Sequence, residues 1–279
     1  MKRKPFFAYR SFRKELPTQK QFAELGIRQF CLFPANTVNA LGQPYSEYPP
    51  VWLGDRCYDF EAFDRQFDDI LSFCPEAEFL LMVDLNSPPW LVRKLQCLRQ
   101  PGDSFCELSE VLCSEFWLDT TRHCLETLLE HAETKYADHI RCVILACGAT
   151  DEWMDYSLGA ESDDKRRRFL AWLRENGLPE QNSIPDFARR YHAERCDGML
   201  RDPEEDKEAL TYWKFHSELI ADGICSFAAA ARKHLRPEQE IGVFFGYLME
   251  LGEKSMVSCG HLAYERVVRS KEVDFFIAP

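Results

Sequence analysis

The sequence predicts an α/β fold of the TIM-barrel type, (β/α)8, incomplete at its C-terminal end. Two observations predict it. Short apolar runs alternate with amphipathic helical segments along the 279 residues, which is the pattern of repeated βα units around a parallel sheet. The apolar runs are also followed by polar loops that contain Pro or Gly. We therefore expect a single barrel domain, residues 1–279, with about six of its eight βα units.

The predicted strands are the apolar runs at residues 6–9, 27–33, 79–83, 142–147, 241–245 and 273–278. The predicted helices are residues 17–25, 58–73, 116–136, 210–234 and 261–270. The helix at 58–73 is the clearest, because Phe60, Phe63 and Phe67 recur at helical spacing. Residues 34–54, rich in Pro, Asn and Gly, are predicted to form a long loop. The charge runs within residues 155–209 are typical of a solvated insertion after the fourth strand.

The composition argues against several classes of function. The formal net charge of −12 disfavours nucleic acid and anionic membrane surfaces as partners, because both attract basic patches. No P-loop, GxGxxG, HExxH or GxSxG motif occurs, so we expect no cofactor and no metal. The 12 Cys include no CxxC pair, and there is no secretory signal or membrane-length apolar run. A cytoplasmic protein with free thiols is the expectation.

The most informative stretch is residues 141–153, RCVILACGATDEW. It reads as a buried strand that ends at Gly148 and is followed by two adjacent carboxylates and an indole, Asp151, Glu152 and Trp153. In βα barrels, catalytic residues lie at the C-terminal ends of the strands. Glu152 is therefore the candidate catalytic acid/base, and its neighbours Asp151 and Trp153 are candidate substrate-binding residues. The alternative is that these acids begin a helix, capped by Thr150 or Asp151.

The ends of other predicted strands carry further candidates. Asn36 follows the second strand, and Asp84 and Asn86 follow the third. Their side chains can hydrogen-bond sugar hydroxyls. Trp90 after the third strand could stack on a sugar ring, and Tyr247 occupies the equivalent end of the fifth. Each of these alone also fits ordinary turn chemistry, but their shared position at the strand ends favours a binding site.

Several short motifs carry a resemblance to a known family. They are the segments YDFEAFD at 58–64, NSPPWL at 86–91, GATDEW at 148–153, FHSE at 215–218, GYLME at 246–250 and GHLA at 260–263. Their order and spacing resemble the catalytic barrel of clan A glycoside hydrolases, in particular sequences related to family 42, the β-galactosidase type. The resemblance covers nearly the whole chain.

The resemblance implies retaining hydrolysis of a β-linked sugar, with Glu152 as acid/base and a second Glu on strand seven as nucleophile. Two departures stand out. Asp151 replaces the Asn that usually precedes the acid/base, and the sequence offers no counterpart of the strand-seven nucleophile. A catalytically inactive barrel that binds carbohydrate or serves in assembly is the main alternative, and an unrelated lyase or isomerase using Asp151 and Glu152 is a weaker one.

Two expectations about behaviour follow. We expect little or no glycosidase turnover from these 279 residues, because the nucleophile lies beyond the sixth predicted strand in that family. We also expect self-association, since an incomplete barrel exposes the edges of its sheet and apolar faces.

Overall fold

A parallel sheet with helices packed on it forms the centre of the computed structural model, which describes residues 15–37, 44, 46–95, 108–155, 159, 161–191, 201–247 and 259–278. The strands are β1 (Gln29–Leu32), β2 (Trp52–Gly54), β3 (Cys57–Tyr58), β4 (Glu78–Asp84), β5 (Ile140–Ala146), β6 (Glu240–Phe244) and β7 (Phe275–Ile277). Five of them form one parallel sheet in the order β1-β4-β5-β6-β7. The predicted α/β class is confirmed. The predicted strand at residues 6–9 lies outside the described residues.

The helices are α1 (Leu16–Glu24), α2 (Phe60–Leu71), α3 (Pro89–Leu95), α4 (Leu108–Val111), α5 (Glu115–Tyr136), α6 (Asp163–Glu175), α7 (Phe187–Tyr191), α8 (Lys207–Arg232) and α9 (Tyr264–Val268). Polar side chains cap the N-terminal ends of three of these helices, α2, α5 and α6. Asp59, Ser114 and Ser162 each accept a hydrogen bond from the backbone amide three residues on. Within the described part of the chain, no helix is long and apolar enough to cross a membrane.

The central strands β4 and β5 are buried on both faces, as expected for a parallel sheet covered by helices. One face packs Phe79, Leu81 and Val143 into the large core shared with α2, α5 and α8. The opposite face forms a second, smaller cluster that includes Leu80 and Cys142. Because side chains alternate along a strand, the apolar runs at 79–83 and 142–147 supply both clusters at once.

The predicted long loop at 34–54 contains structure that the sequence did not suggest. Within the predicted loop at 34–54, β2 begins a short antiparallel hairpin with β3. Arg56, at φ 53°, turns the chain between the two strands. The side-chain oxygen of Asn36 accepts hydrogen bonds from the amides of Val51 and Trp52, at 2.9 and 2.8 Å, and so anchors the start of the hairpin.

The prediction of a solvated segment at 155–209 is wrong for one face of α6. Asp163, Arg166 and Arg167 are exposed, but Lys165 is fully buried beside Phe169. The Lys165 ammonium lies 3.2 Å from the carboxylate of Glu110 on α4. The segment is therefore fastened to the barrel by a buried ion pair.

Candidate active site

Hydrogen bonds among buried polar residues join the C-terminal ends of β1, β4 and β5. The backbone amide of Asn36 donates to Asp84 Oδ2 at 2.8 Å, and the backbone amide of Asn86 donates to Asp84 Oδ1 at 3.0 Å. Asn86 Nδ2 donates to Asp151 Oδ1 at 2.9 Å, while Asn86 Oδ1 accepts from the Gly148 amide at 2.8 Å. Four of the predicted site residues thus meet at one place, as their positions at the strand ends predict.

This network holds its members below the surface. Asn36, Asp84, Asn86 and Asp151 are all buried. Burial raises the pKa of Asp84 to about 6, and the hydrogen bonds from the Asn36 and Asn86 amides oppose that rise. The direct role that the structure shows for these residues is to fix the strand ends. Their contact with a sugar remains a prediction.

Glu152 lies on a tight turn that follows β5. The Ala149 amide donates to the Met154 carbonyl at 2.7 Å, and the Trp153 amide donates to the Cys147 carbonyl at 2.6 Å. These bonds close the turn on itself. No helix begins at Glu152 among the described residues, so the alternative of a capped helix start is wrong.

The turn adopts an unusual backbone conformation. Thr150, Asp151 and Trp153 have φ values of 54°, 68° and 54°, in the left-handed region that non-glycine residues rarely enter. Gly148, at φ 73°, begins the turn, and a Cβ there would lie 2.7 Å from the Met154 carbonyl oxygen. Such strain persists only where surrounding contacts enforce it, and it concentrates at functional sites.

The conformation of the turn separates Glu152 from its neighbours. Asp151 and Trp153 are fully buried, whereas Glu152 is partly exposed. The Thr150 hydroxyl lies 2.6 Å from Glu152 Oε2 and donates to it. Glu152 is therefore a carboxyl at a strand end, oriented by a neighbouring hydroxyl and accessible to solvent.

The placement of Trp153 does not fit its predicted role in substrate binding. Its side chain lies in the core, where the indole donates to the Leu145 carbonyl at 2.9 Å and the ring centroid lies 6.2 Å from that of Phe227. A fully buried indole cannot stack on a sugar. Trp153 instead anchors the turn that carries Glu152.

Trp90 and Tyr247 keep their places at the strand ends. Trp90 is partly exposed, and its indole donates to the Trp52 carbonyl at 3.2 Å while the two rings meet edge to face. Tyr247 is buried against His261, with ring centroids 5.6 Å apart. Of the two, Trp90 is the one with ring surface available to a ligand.

Two histidines beside the Glu152 turn were not among the predicted site residues. His261 contacts backbone groups of Gly246, Tyr247 and Trp153. His216, which the sequence indicates as a packed residue of its helix, forms a fully buried pair with Asp155, 2.7 Å between Nε2 and Oδ2. Its helical spacing from Tyr212 and Ile220 agrees with that position. The sequence marks His261 only as part of the GHLA motif at 260–263.

The described residues contain no group of three or more His, Cys, Asp or Glu arranged to hold a metal ion. The nine described cysteines are all free thiols. Burial raises the pKa of Cys147, the thiol nearest in sequence to the Glu152 turn. In this part of the chain, the accessible titratable group on that turn is the Glu152 carboxyl.

No family model and no curated protein matches the chain. Several solved structures match the chain. A β-galactosidase from Bacillus circulans sp. alkalophilus matches 98% of this chain at 12% identity with a TM-score of 0.57, and the match covers 39% of that protein. The β-amylase catalytic domain from Paenibacillus polymyxa matches 94% at 9% identity with a TM-score of 0.65, and the match covers 72% of it.

An endo-1,4-β-mannanase from Rhizomucor miehei matches 99% of the chain at 11% identity with a TM-score of 0.51, over 67% of that protein. The chain thus spans well under half the length of the β-galactosidase that it matches. At these identities the likeness concerns the fold. The chain has an α/β fold like that of these glycoside hydrolases.

Proposed function

We propose that the chain is a glycosidase barrel in which Glu152 acts as the acid/base on a β-linked sugar such as a β-galactoside. The observation that carries the proposal is the placement of Glu152. It is an accessible carboxyl on a strained turn at the end of a central strand, where barrels of this fold place catalytic residues. The free thiols among the described residues support a reducing, cytoplasmic setting.

The geometry of the turn supports a proton-transfer role. The Thr150 hydroxyl donates to Glu152 Oε2 and fixes the orientation of the carboxyl. We assign the transferred proton to the other oxygen, Oε1. In the first step that proton passes to the glycosidic oxygen as the bond between this oxygen and the anomeric carbon breaks. The resulting carboxylate then takes a proton from the water molecule that adds to the anomeric carbon. Trp90 is the ring that we assign to stacking on the sugar.

We assign no nucleophile to the described residues. Three other described carboxyls at this end of the sheet, those of Asp84, Asp151 and Asp155, are buried. The first two bond Asn86, and the third bonds His216. This feature favours the second candidate, a barrel that binds carbohydrate without cleaving it. If the chain hydrolyses an aryl β-galactoside and Glu152→Gln abolishes that activity, the chain is a hydrolase. If it binds the sugar without hydrolysing it, the chain is a binding barrel.

The binding site itself is tested with a cationic, galactose-configured iminosugar, since a cation pairs with the Glu152 carboxylate whether or not turnover occurs. We expect Glu152→Gln to weaken binding about tenfold or more in calorimetric titration, because a charge-assisted hydrogen bond is lost. The matched control is Glu78→Gln. Glu78 begins β4 at the opposite end of the sheet and bonds Gln29, so its variant should bind like the native chain. Equal affinity in both variants, or no binding by the native chain, would contradict the proposal.

A further inference from the structure

We propose that His261 is a positioning residue that holds the Glu152 turn in place from the neighbouring strand end. It acts through the carbonyl oxygen of Trp153, the residue directly after Glu152. The inference rests on the proposed function for its meaning in catalysis. The contacts that support it stand independently of any sugar.

His261 joins two strand ends with its two ring nitrogens. Nδ1 lies 3.2 Å from each of the amides of Gly246 and Tyr247, just after β6, and accepts from them. Nε2 lies 3.1 Å from the Trp153 carbonyl oxygen, after β5, and donates to it. An acceptor at Nδ1 and a donor at Nε2 define one neutral tautomer. The ring is therefore a bridge between the end of β6 and the turn that carries Glu152.

Packing allows His261 little freedom. Its side chain is fully buried, and its ring centroid lies 4.4 Å from that of Phe245. The preceding residue, Gly260, has φ 90°, and a Cβ there would collide with Ile220 of α8. The backbone just before His261 thus adopts a conformation that suits glycine. The surrounding packing holds the imidazole against the turn.

Burial also restricts His261 to a positioning role. The imidazole has no exposed surface, so it does not touch a bound sugar. Both nitrogens already bond backbone groups. Among the described residues, His261 is the only one that gives a hydrogen bond to the Trp153 carbonyl, so loss of the bridge leaves that carbonyl without one. Glu152 directly precedes Trp153 in the chain.

The bridge requires the neutral ring. A proton on Nδ1 would face the two amide donors that now bond it. The titratable groups beside His261 are His216 on α8, Tyr247 after β6 and the Cys259 thiol. Asp155 after β5 bonds His216. Burial lowers the pKa of His261 to about 4. Since that is below the unfolded value near 6.5, the stabilisation is fully present above about pH 6.5 and is lost as the pH falls toward 4.

The test is amide hydrogen exchange of residues 149–155, read by mass spectrometry on the full chain. Amides in this segment bond the Gly148, Ala149, Met154, Cys147 and Cys259 carbonyls and should exchange slowly in the native protein. In His261→Phe we expect exchange of this segment to accelerate about tenfold or more. The matched control is His139→Phe. His139 also bonds a backbone carbonyl, that of Ala77 at 2.8 Å, but at the opposite end of the sheet.

The native chain supplies a second measurement that needs no variant. Protection of residues 149–155, corrected for intrinsic exchange, should fall as the pH is lowered from 7 toward 4.5, while α2 keeps its protection. Equal protection of the turn in native and His261→Phe proteins, or a pH-independent turn, would overturn the proposal. Neither readout uses a sugar, so failure of iminosugar binding would remove the proposed function and leave the positioning role standing. If turnover is found, we expect His261→Phe to lower kcat with little change in KM.

Discussion

Replacing Lys165 with Met should lower the free energy of unfolding by roughly 3–5 kcal/mol, the range for breaking a buried ion pair from one side. Lys165 and Glu110 are essentially inaccessible to water. The Lys165 ammonium also donates to Ser109 Oγ at 3.0 Å. Methionine fills a similar volume but leaves the Glu110 carboxylate buried without its cation.

The same ammonium stabilises a second buried acid. Burial raises the pKa of Asp155, but its hydrogen bond to His216 and the positive charge of Lys165 outweigh burial and leave that pKa below its usual value. Lys165→Met therefore removes a charge that favours the ionised form of Asp155. Because Asp155 ends the segment that carries Glu152, we expect the loss of stability to extend to that turn.

Two controls separate the buried pair from charge effects in general. Lys135→Met removes an exposed ion pair with Asp64 and should cost under about 1 kcal/mol. Adding Glu110→Gln to Lys165→Met should recover part of the loss, giving a coupling of about 1 kcal/mol or more in a double-mutant cycle. Denaturant unfolding measures the native protein, the two single variants and the double variant of this cycle, and Lys135→Met. A Lys165→Met variant as stable as Lys135→Met would contradict the buried network.

Asn86→Ala should have the next largest effect, a loss of roughly 2–4 kcal/mol in unfolding free energy. The substitution removes two buried hydrogen bonds, from Asn86 to Asp151 and from Gly148 to Asn86, and an unsatisfied buried group costs about 1–3 kcal/mol. Because Gly148 and Asp151 both belong to the Glu152 turn, we expect Asn86→Ala to weaken iminosugar binding as well as to lower the free energy of unfolding.

The matched control is Asn176→Ala. Asn176 is an exposed residue directly after α6, and its side-chain amide donates to the Trp172 carbonyl at 2.9 Å. We expect a loss under about 1 kcal/mol and unchanged sugar binding. Equal losses in the two variants would mean that Asn86 is an ordinary turn residue.

The strands of the sheet were predictable because each apolar run is short and is followed by a polar loop. Segments with helical periodicity separate one run from the next. The run at 142–147 and the Phe spacing of 58–73 each identify one element without tertiary information. The β2–β3 hairpin was not predictable in this way. Its strands are two and three residues long, and its anchor is the side chain of Asn36, fifteen residues earlier.

The candidate site was predictable as a location but only partly in its details. The strand ends correctly brought Asn36, Asp84, Asn86 and Asp151 together. The orientation of Trp153 could not be read from the sequence. After Gly148 the chain leaves the extended conformation for left-handed φ values, so the alternation of a strand no longer tells which side chains point outward.

The buried charges left a signal that could have been used. Lys165, Phe169 and Trp172 have helical spacing, and all three lie on the buried face of α6. The charge run around Lys165 obscured that pattern. His261 gives the opposite lesson, because its contacts are to backbone groups of residues 153, 246 and 247, and backbone partners leave no trace in a sequence.

The central claim is that Glu152 is the carboxyl that meets the sugar. The most direct measurement is a crystal structure of the chain with the galactose-configured iminosugar. We predict the ligand at the C-terminal ends of β4 and β5, with a Glu152 carboxylate oxygen within about 3 Å of a ligand nitrogen or hydroxyl. A ligand bound at this end of the sheet without contact to Glu152, or bound elsewhere on the molecule, would contradict the account.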